Sequence, residues 1–82
     1  MTYSKISRVL PMLFQAIRIT GTYDPDITLS VFFDDLTSKE YSTLYDFLKW
    51  VHLTGKKFGS GNFQETYSAW QSHTKTTDLV FA

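Results

Sequence analysis

The stretch TSKE, residues 37–40, decides the fold of this chain because it carries a complete start signal for an α-helix. A threonine followed three residues later by a glutamate predicts a capping box. In that motif the Thr37 hydroxyl accepts a hydrogen bond from the Glu40 amide, and the Glu40 carboxylate accepts one from the Thr37 amide. The helix is predicted to run to Thr54, and Gly55 is placed to end it.

This predicted helix is apolar over most of its circumference. At 100° per residue, its main apolar stripe comprises Tyr41, Leu44, Tyr45, Leu48 and His52, and Phe47 and Val51 widen it. Trp50 lies about 180° from Tyr41, and Leu53 is also off the stripe. A helix that is apolar on most sides is either central in its fold or contacts another chain. Trp50 is therefore covered by the fourth helix or the tail, or it lies in an interface, where Trp is enriched.

An apolar repeat predicts a first helix over about residues 4–19. The residues that carry it are Ile6, Val9, Leu10, Leu13, Phe14 and Ile17. Pro11 lies inside this pattern and removes one backbone donor. The helix is therefore either kinked at Pro11 or begins near Leu10, and Gly21 is placed to end it.

The second segment, residues 24–36, supports two structures. Asp24 followed by Pro25 is typical of a helix N-cap and first turn. Ile27, Leu29, Val31 and Phe33 instead alternate with the period of a strand. A short helix is the preferred prediction because capping is specific chemistry, and a strand is the alternative.

A fourth helix is predicted over about residues 62–73, with Asn62 as its N-cap. The prediction as a whole is an all-α fold, a compact bundle of three to four short helices forming one domain over residues 1–82. Its expected core is Ile6, Val9, Leu10, Leu13, Phe14, Ile17, Leu36, Leu44, Leu48, Val51, Phe63, Tyr67 and Trp70.

Composition narrows the function classes. The 82 residues make one small domain, with 17% aromatic residues and eight basic against eight acidic side chains. A disordered tail would carry fewer aromatics and more net charge. A non-specific nucleic-acid binder would carry an excess of Lys and Arg. The chain lacks cysteine, which favours a reducing, cytoplasmic location, and no apolar run approaches the 20 or so residues of a membrane span.

The charges are distributed unevenly along the chain. By count of Lys and Arg against Asp and Glu, residues 1–23 carry +3, residues 24–46 carry −5 and residues 47–82 carry +2. Such asymmetry can steer a partner or pair subunits. It is equally explained by acids that favour helix N-termini and solubility.

No pattern predicts catalysis, a metal or a cofactor. The two imidazoles, His52 and His73, fit no zinc spacing. Asp34 and Asp35 are adjacent, so on a helix they point about 100° apart and do not form an acid–base pair. The loop 55–61 has the residue types of a phosphate loop but lacks its spacing.

Two binding functions follow from these observations. The first is a small cytoplasmic protein-binding regulator that acts by occlusion, without catalysis, and that is also a candidate homodimer. Its expected contact residues are Phe47, Trp50, Leu53, Lys56 and Lys57. The alternative is a helix-turn-helix-like DNA-binding regulator that uses Lys56, Lys57 and the 62–73 helix.

In size and character the chain resembles a family of small bacteriophage regulators, the RIII-type cytoplasmic antiholins of T-even-like phages. The resemblance rests on the length, the lack of a signal or membrane segment, and the capped helix Thr37–Gly55. It implies a protein of the host cytoplasm that binds the cytoplasmic part of a holin and delays lysis. No site residue is carried over from it.

Overall fold

The computed structural model describes residues 7–59 and 61–81, and the side chains of residues 7–59 and 61–74. Its α-helices are α1 (Leu10–Thr20), α2 (Pro25–Thr28), α3 (Ser38–Thr54) and α4 (Phe63–Phe81). Single turns of 3₁₀-helix cover Ser7–Val9, Leu29–Val31 and Phe33–Asp35. The described residues contain no strand. The all-α bundle of short helices is thus confirmed.

Helix α1 begins at Leu10, so the later of the two predicted starts is correct. Pro11 occupies its first turn, where a backbone N–H has no partner within the helix and its loss costs little. The predicted helical residues 4–6 lie outside the described part of the chain. Gly21 ends the helix as predicted, with a left-handed φ of 71° and its N–H bonded to the Ile17 carbonyl.

The second segment is helical, and the strand alternative is wrong. The Asp24 carboxylate accepts the Asp26 amide at 2.9 Å and so caps α2. Two 3₁₀ turns then continue the chain, and this spacing turns Leu29 and Phe32 into the core. The alternating residues Val31 and Phe33 are left exposed, so the period of two did not mark one buried face.

Helix α3 confirms the capping box. The Glu40 amide donates to the Thr37 hydroxyl at 3.1 Å, and the Thr37 amide donates to the Glu40 carboxylate at 2.9 Å. Gly55 ends the helix with a φ of 73°. Helix α4 runs on to Phe81, beyond the end predicted at about residue 73. Ahead of it the Asn62 side chain accepts the Gly59 amide at 2.7 Å.

The core lies where α1, α3, the first half of α4 and the segment between α1 and α3 meet. Predicted core residues that are buried are Val9, Leu10, Leu13, Leu44, Leu48, Val51, Phe63 and Tyr67. Predicted ones that are partly buried against this core are Phe14, Ile17, Leu36 and Trp70. Ile6 lies outside the described residues. Core residues that the sequence did not predict are Ala16, Leu29, Phe32, Phe47 and Phe58.

Phe58 shows how the loop after α3 is held. Its ring is buried, and its backbone forms two hydrogen bonds with the side chain of Tyr23 in the α1–α2 loop. The Tyr23 hydroxyl donates to the Phe58 carbonyl at 2.9 Å and accepts from the Phe58 amide at 3.1 Å. These bonds join residues 35 positions apart in the chain, so Phe58 anchors the chain after α3 to the packed core.

Candidate functional site

A shallow groove of about 340 Å³ lies beside the second half of α3. We call this groove, together with Lys56 at its edge, the Trp50 surface. The residues that line the groove are Asp46, Lys49, Trp50, Leu53, Trp70, His73 and Thr74. It is formed where the outward side of α3 meets α4, so it combines residues that are distant in sequence.

Trp50 is half-buried, so its side of α3 is partly covered within the chain. Its ring centroid lies 5.7 Å from that of His73 on α4, with the planes inclined by 31°. The Lys56 Nζ atom lies 5.6 Å from the Trp50 ring centroid, within the range of a cation–π contact. The fourth helix therefore covers part of the indole and leaves the rest exposed.

Leu53 is the most exposed large apolar residue of the described chain, with 72% of its surface accessible. It lies one turn of α3 beyond Trp50, in the last turn of the helix. The Thr54 hydroxyl next to it donates to the Trp50 carbonyl at 2.7 Å. Leu53 is thus placed at the end of α3 and faces away from the core, and its role as a contact residue stays a prediction.

Phe47 corrects the predicted set of contact residues. It is fully buried, and its ring packs against four other aromatic rings at centroid distances of 5.2 to 5.5 Å. Those rings belong to Phe58, Phe63, Tyr67 and Trp70. Phe47 cannot contact a partner in this fold. Its spacing from Leu44, Leu48 and Val51 is that of one helical face and could have placed it in the core.

The two predicted lysines follow α3 directly. Lys56 and Lys57 are both exposed, and Lys56 contributes to the Trp50 surface. The ring of the next residue, Phe58, is buried and cannot reach a nucleic acid. Residues 63–74 of α4 contain no Lys or Arg, so this helix offers few donors to phosphate or base edges. The DNA-binding hypothesis remains a prediction that no contact in the fold favours.

A second groove, of about 470 Å³, was not predicted from the sequence. It lies at the start of α3 and we call it the acidic groove. Its lining residues are Asp26, Ser30, Val31, Phe32, Phe33, Asp34, Asp35 and Tyr41. The sequence shows apolar residues among four aspartates in residues 24–35, but neither the preferred short helix nor the strand alternative predicted that Val31 and Phe33 are exposed.

Aromatic and acidic groups are in direct contact at the acidic groove. The Phe33 ring packs edge-on against Tyr41 with centroids 5.4 Å apart, and 57% of Phe33 is still exposed. The Tyr45 hydroxyl donates to the Asp26 carboxylate at 3.2 Å. This hydrogen bond, with the negative charge of Asp26, raises the pKa of the Tyr45 hydroxyl above its usual value.

Both grooves are open to the surface and are lined by apolar and charged side chains. Within the described residues, no three His, Asp or Glu side chains are grouped so that they could hold a metal ion. Among the same residues, no helix has the length and apolar content needed to cross a bilayer. No protein-family model, curated protein or solved structure matches the chain.

Proposed function

We propose that this chain is a small protein-binding regulator that acts by occluding its partner, without catalysis, and that the Trp50 surface makes the contact. The observation that carries the proposal is the exposure of Leu53 in one groove with the half-buried indoles of Trp50 and Trp70. Tryptophan is over-represented among the residues that dominate binding energy. An exposed apolar group beside such rings is typical of a contact surface.

The rim of the Trp50 surface indicates what the partner offers. Lys49 and Lys56 outnumber Asp46 there, and the exposed Lys57 follows in the chain. Apolar side chains at the centre with charged side chains around them are the usual arrangement of a protein interface. The expected partner therefore presents an apolar side chain flanked by acidic groups.

The test uses a photo-reactive amino acid placed at position 53 of the full chain in cells. A control chain carries the same group at position 42, an exposed serine of α3 outside the groove. We expect position 53 to crosslink one foreign protein and position 42 to crosslink none. Equal labelling from both positions, or none from either, would refute the Trp50 surface as the contact.

The resemblance to antiholins makes the proposal specific: the chain acts in the host cytoplasm and its partner is the cytoplasmic part of a holin. Co-expression with a T-even-type holin tests this form. The wild-type chain is expected to delay lysis, and Leu53→Asp to remove most of the delay, because a charge would enter the apolar centre. Unchanged lysis timing with the wild-type chain would refute the antiholin form alone.

A further inference from the structure

We propose that copies of this chain associate head to tail, with the acidic groove of one copy receiving the Trp50 surface of the next. This association rests on the proposed function, because it uses the same Trp50 surface for contact. The acidic groove is the second surface, and the Trp50 surface of another copy binds there. Both surfaces are exposed, both contain apolar side chains, and their charges are opposite.

The acidic groove offers an apolar contact area. Phe33 is 57% exposed and Val31 48% exposed, and both line the groove. Ile27, on the preceding turn, is 49% exposed. Three large apolar side chains exposed within seven residues of one segment form a patch, and exposed patches of this kind are characteristic of interaction sites.

The charges around that patch are almost all negative. Asp26, Asp34 and Asp35 line the groove. Among the nearby cations, Arg8 is already engaged, because its guanidinium donates to the Glu40 carboxylate at 2.6 and 3.1 Å. Lys39, in the first turn of α3, follows this segment closely along the chain and does not line the groove. The groove therefore suits an apolar group with a basic rim.

The Trp50 surface of another copy has those properties. Leu53 is its most exposed apolar group, and Lys49 and Lys56 stand beside it. Contact between the two surfaces would bury Leu53 against Phe33 while lysines approach aspartates. Charge complementarity of this kind steers association and fixes the orientation of the partners.

The positions of the two surfaces determine the symmetry of the assembly. Tyr41 of the acidic groove lies in the first turn of α3 and Leu53 in the last, about 18 Å apart along the axis. Around the axis, Tyr41 and Trp50 lie on opposite sides. A two-fold dimer would need both surfaces on one face to make both contacts at once. When the acidic groove of one copy instead contacts the Trp50 surface of the next, the pair still has one acidic groove and one Trp50 surface free. Further copies can therefore add, and the assembly grows beyond two copies.

The test compares two variants, each of which removes one surface. Asp34→Lys/Asp35→Lys reverses the charge of the acidic groove, and Leu53→Asp places a charge at the centre of the Trp50 surface. All three positions are exposed, so both variants should fold, and circular dichroism with urea unfolding checks this. Phe33→Ser is a further groove variant that leaves the aspartates in place.

Light scattering and sedimentation then measure mass against concentration. We expect the wild-type mass to rise above twice that of the monomer, since a closed dimer would stop at two, and to fall at high salt. Each variant alone should remain a monomer. Mixed together, Asp34→Lys/Asp35→Lys and Leu53→Asp should form a complex of two chains and no larger, because each supplies the surface that the other lacks.

Three results would overturn the inference: a wild-type monomer at all concentrations, a wild-type mass that stops at two, or variants that do not combine when mixed. The result is separable from that for the proposed function. A monomeric chain that still crosslinks a foreign protein through position 53 refutes the head-to-tail contact alone. If the chain assembles head to tail and position 53 crosslinks only to other copies of the chain, the proposed regulation of another protein is refuted and the head-to-tail contact is not.

Discussion

At the scale of single residues, Glu40 links the start of α3 to the segment before α1. Its buried carboxylate accepts the Thr37 amide, which closes the capping box. The same carboxylate accepts two hydrogen bonds from Arg8, which also donates to the Asp35 carbonyl at 2.9 Å. These donors lower the pKa of the Glu40 carboxyl below its usual value. The hydrogen bond from Arg8 has the largest effect, and the one from the Thr37 amide has the next largest.

This lowered pKa predicts that part of the stability depends on pH. A carboxyl whose pKa is lower in the folded chain stabilises the fold above its unfolded pKa, about 4.3 for glutamate. The contribution is lost as the pH falls through the folded pKa. We expect the free energy of unfolding of the wild type to exceed that of Glu40→Gln at neutral pH, and the difference to shrink below about pH 4.

Urea unfolding at a series of pH values measures this difference. Glu65→Gln is the matched control, since Glu65 is an exposed glutamate in the first turn of α4. Its difference from the wild type should stay small over the same range. A Glu40→Gln difference that is the same at pH 3 and pH 7 would contradict the role assigned to the carboxylate.

At the scale of elements, the end of α3 positions the Trp50 surface. The Gly55 amide bonds to the His52 carbonyl and the Lys56 amide to the Val51 carbonyl, which closes the helix. Gly55 has a φ of 73°, a conformation that L-residues with a side chain rarely adopt. The turn directs Lys56 back over the Trp50 ring and allows Phe58 to enter the core.

Gly55→Ala is expected to destabilise the fold by about 1 kcal/mol, since the left-handed conformation brings a Cβ atom too close to the backbone. Thermal or urea unfolding measures the loss. Gly59→Ala is the control, because Gly59 lies in the same loop without a positive φ and with open space for a Cβ atom. Equal stability of the Gly55→Ala chain and the wild type would show that the turn has no such requirement.

At the scale of the whole molecule, an aromatic cluster joins α3, the following loop and α4. Phe47 is at its centre, in ring contact with Phe58, Phe63, Tyr67 and Trp70. Such ring pairs add to the effect of burying their area. Two apolar residues of α3 therefore differ in their environment. Phe47 is buried in the cluster and stabilises the fold, whereas Leu53, six residues later, lies outside the cluster and is exposed.

Substitution distinguishes these roles. Phe47→Ala is expected to cost about 3–5 kcal/mol, through lost burial and the cavity left behind. Leu53→Ala should change the free energy of unfolding by no more than about 0.5 kcal/mol, as for other exposed positions. If Phe47→Ala leaves too little folded protein to measure, Phe47→Leu should show a smaller loss in the same direction. A Leu53→Ala chain as unstable as Phe47→Leu would contradict the assignment.

The local sequence determined where α2 and α3 begin and where α1 and α3 end. The capping box at Thr37, the Asp24 cap, and the glycines after α1 and α3 were all predicted, because each depends on hydrogen bonds or backbone angles within about five residues. For the start of α1, Pro11 limited the alternatives to a kink or a start near Leu10, and the structure shows the second. The all-α class followed in turn from these ends and from the helical spacing of apolar residues.

Only the tertiary structure decided which apolar residues are hidden and which remain available for contact. Phe47 and Leu53 are both apolar and lie on the same helix, yet α4 and the loop after α3 cover the first and leave the second exposed. The acidic groove likewise exists only because 3₁₀ turns bury Leu29 and Phe32 and turn Val31 and Phe33 outward. Burial depends on which distant segments pack over a residue, whereas neighbours along the chain indicate only the helix face on which it lies.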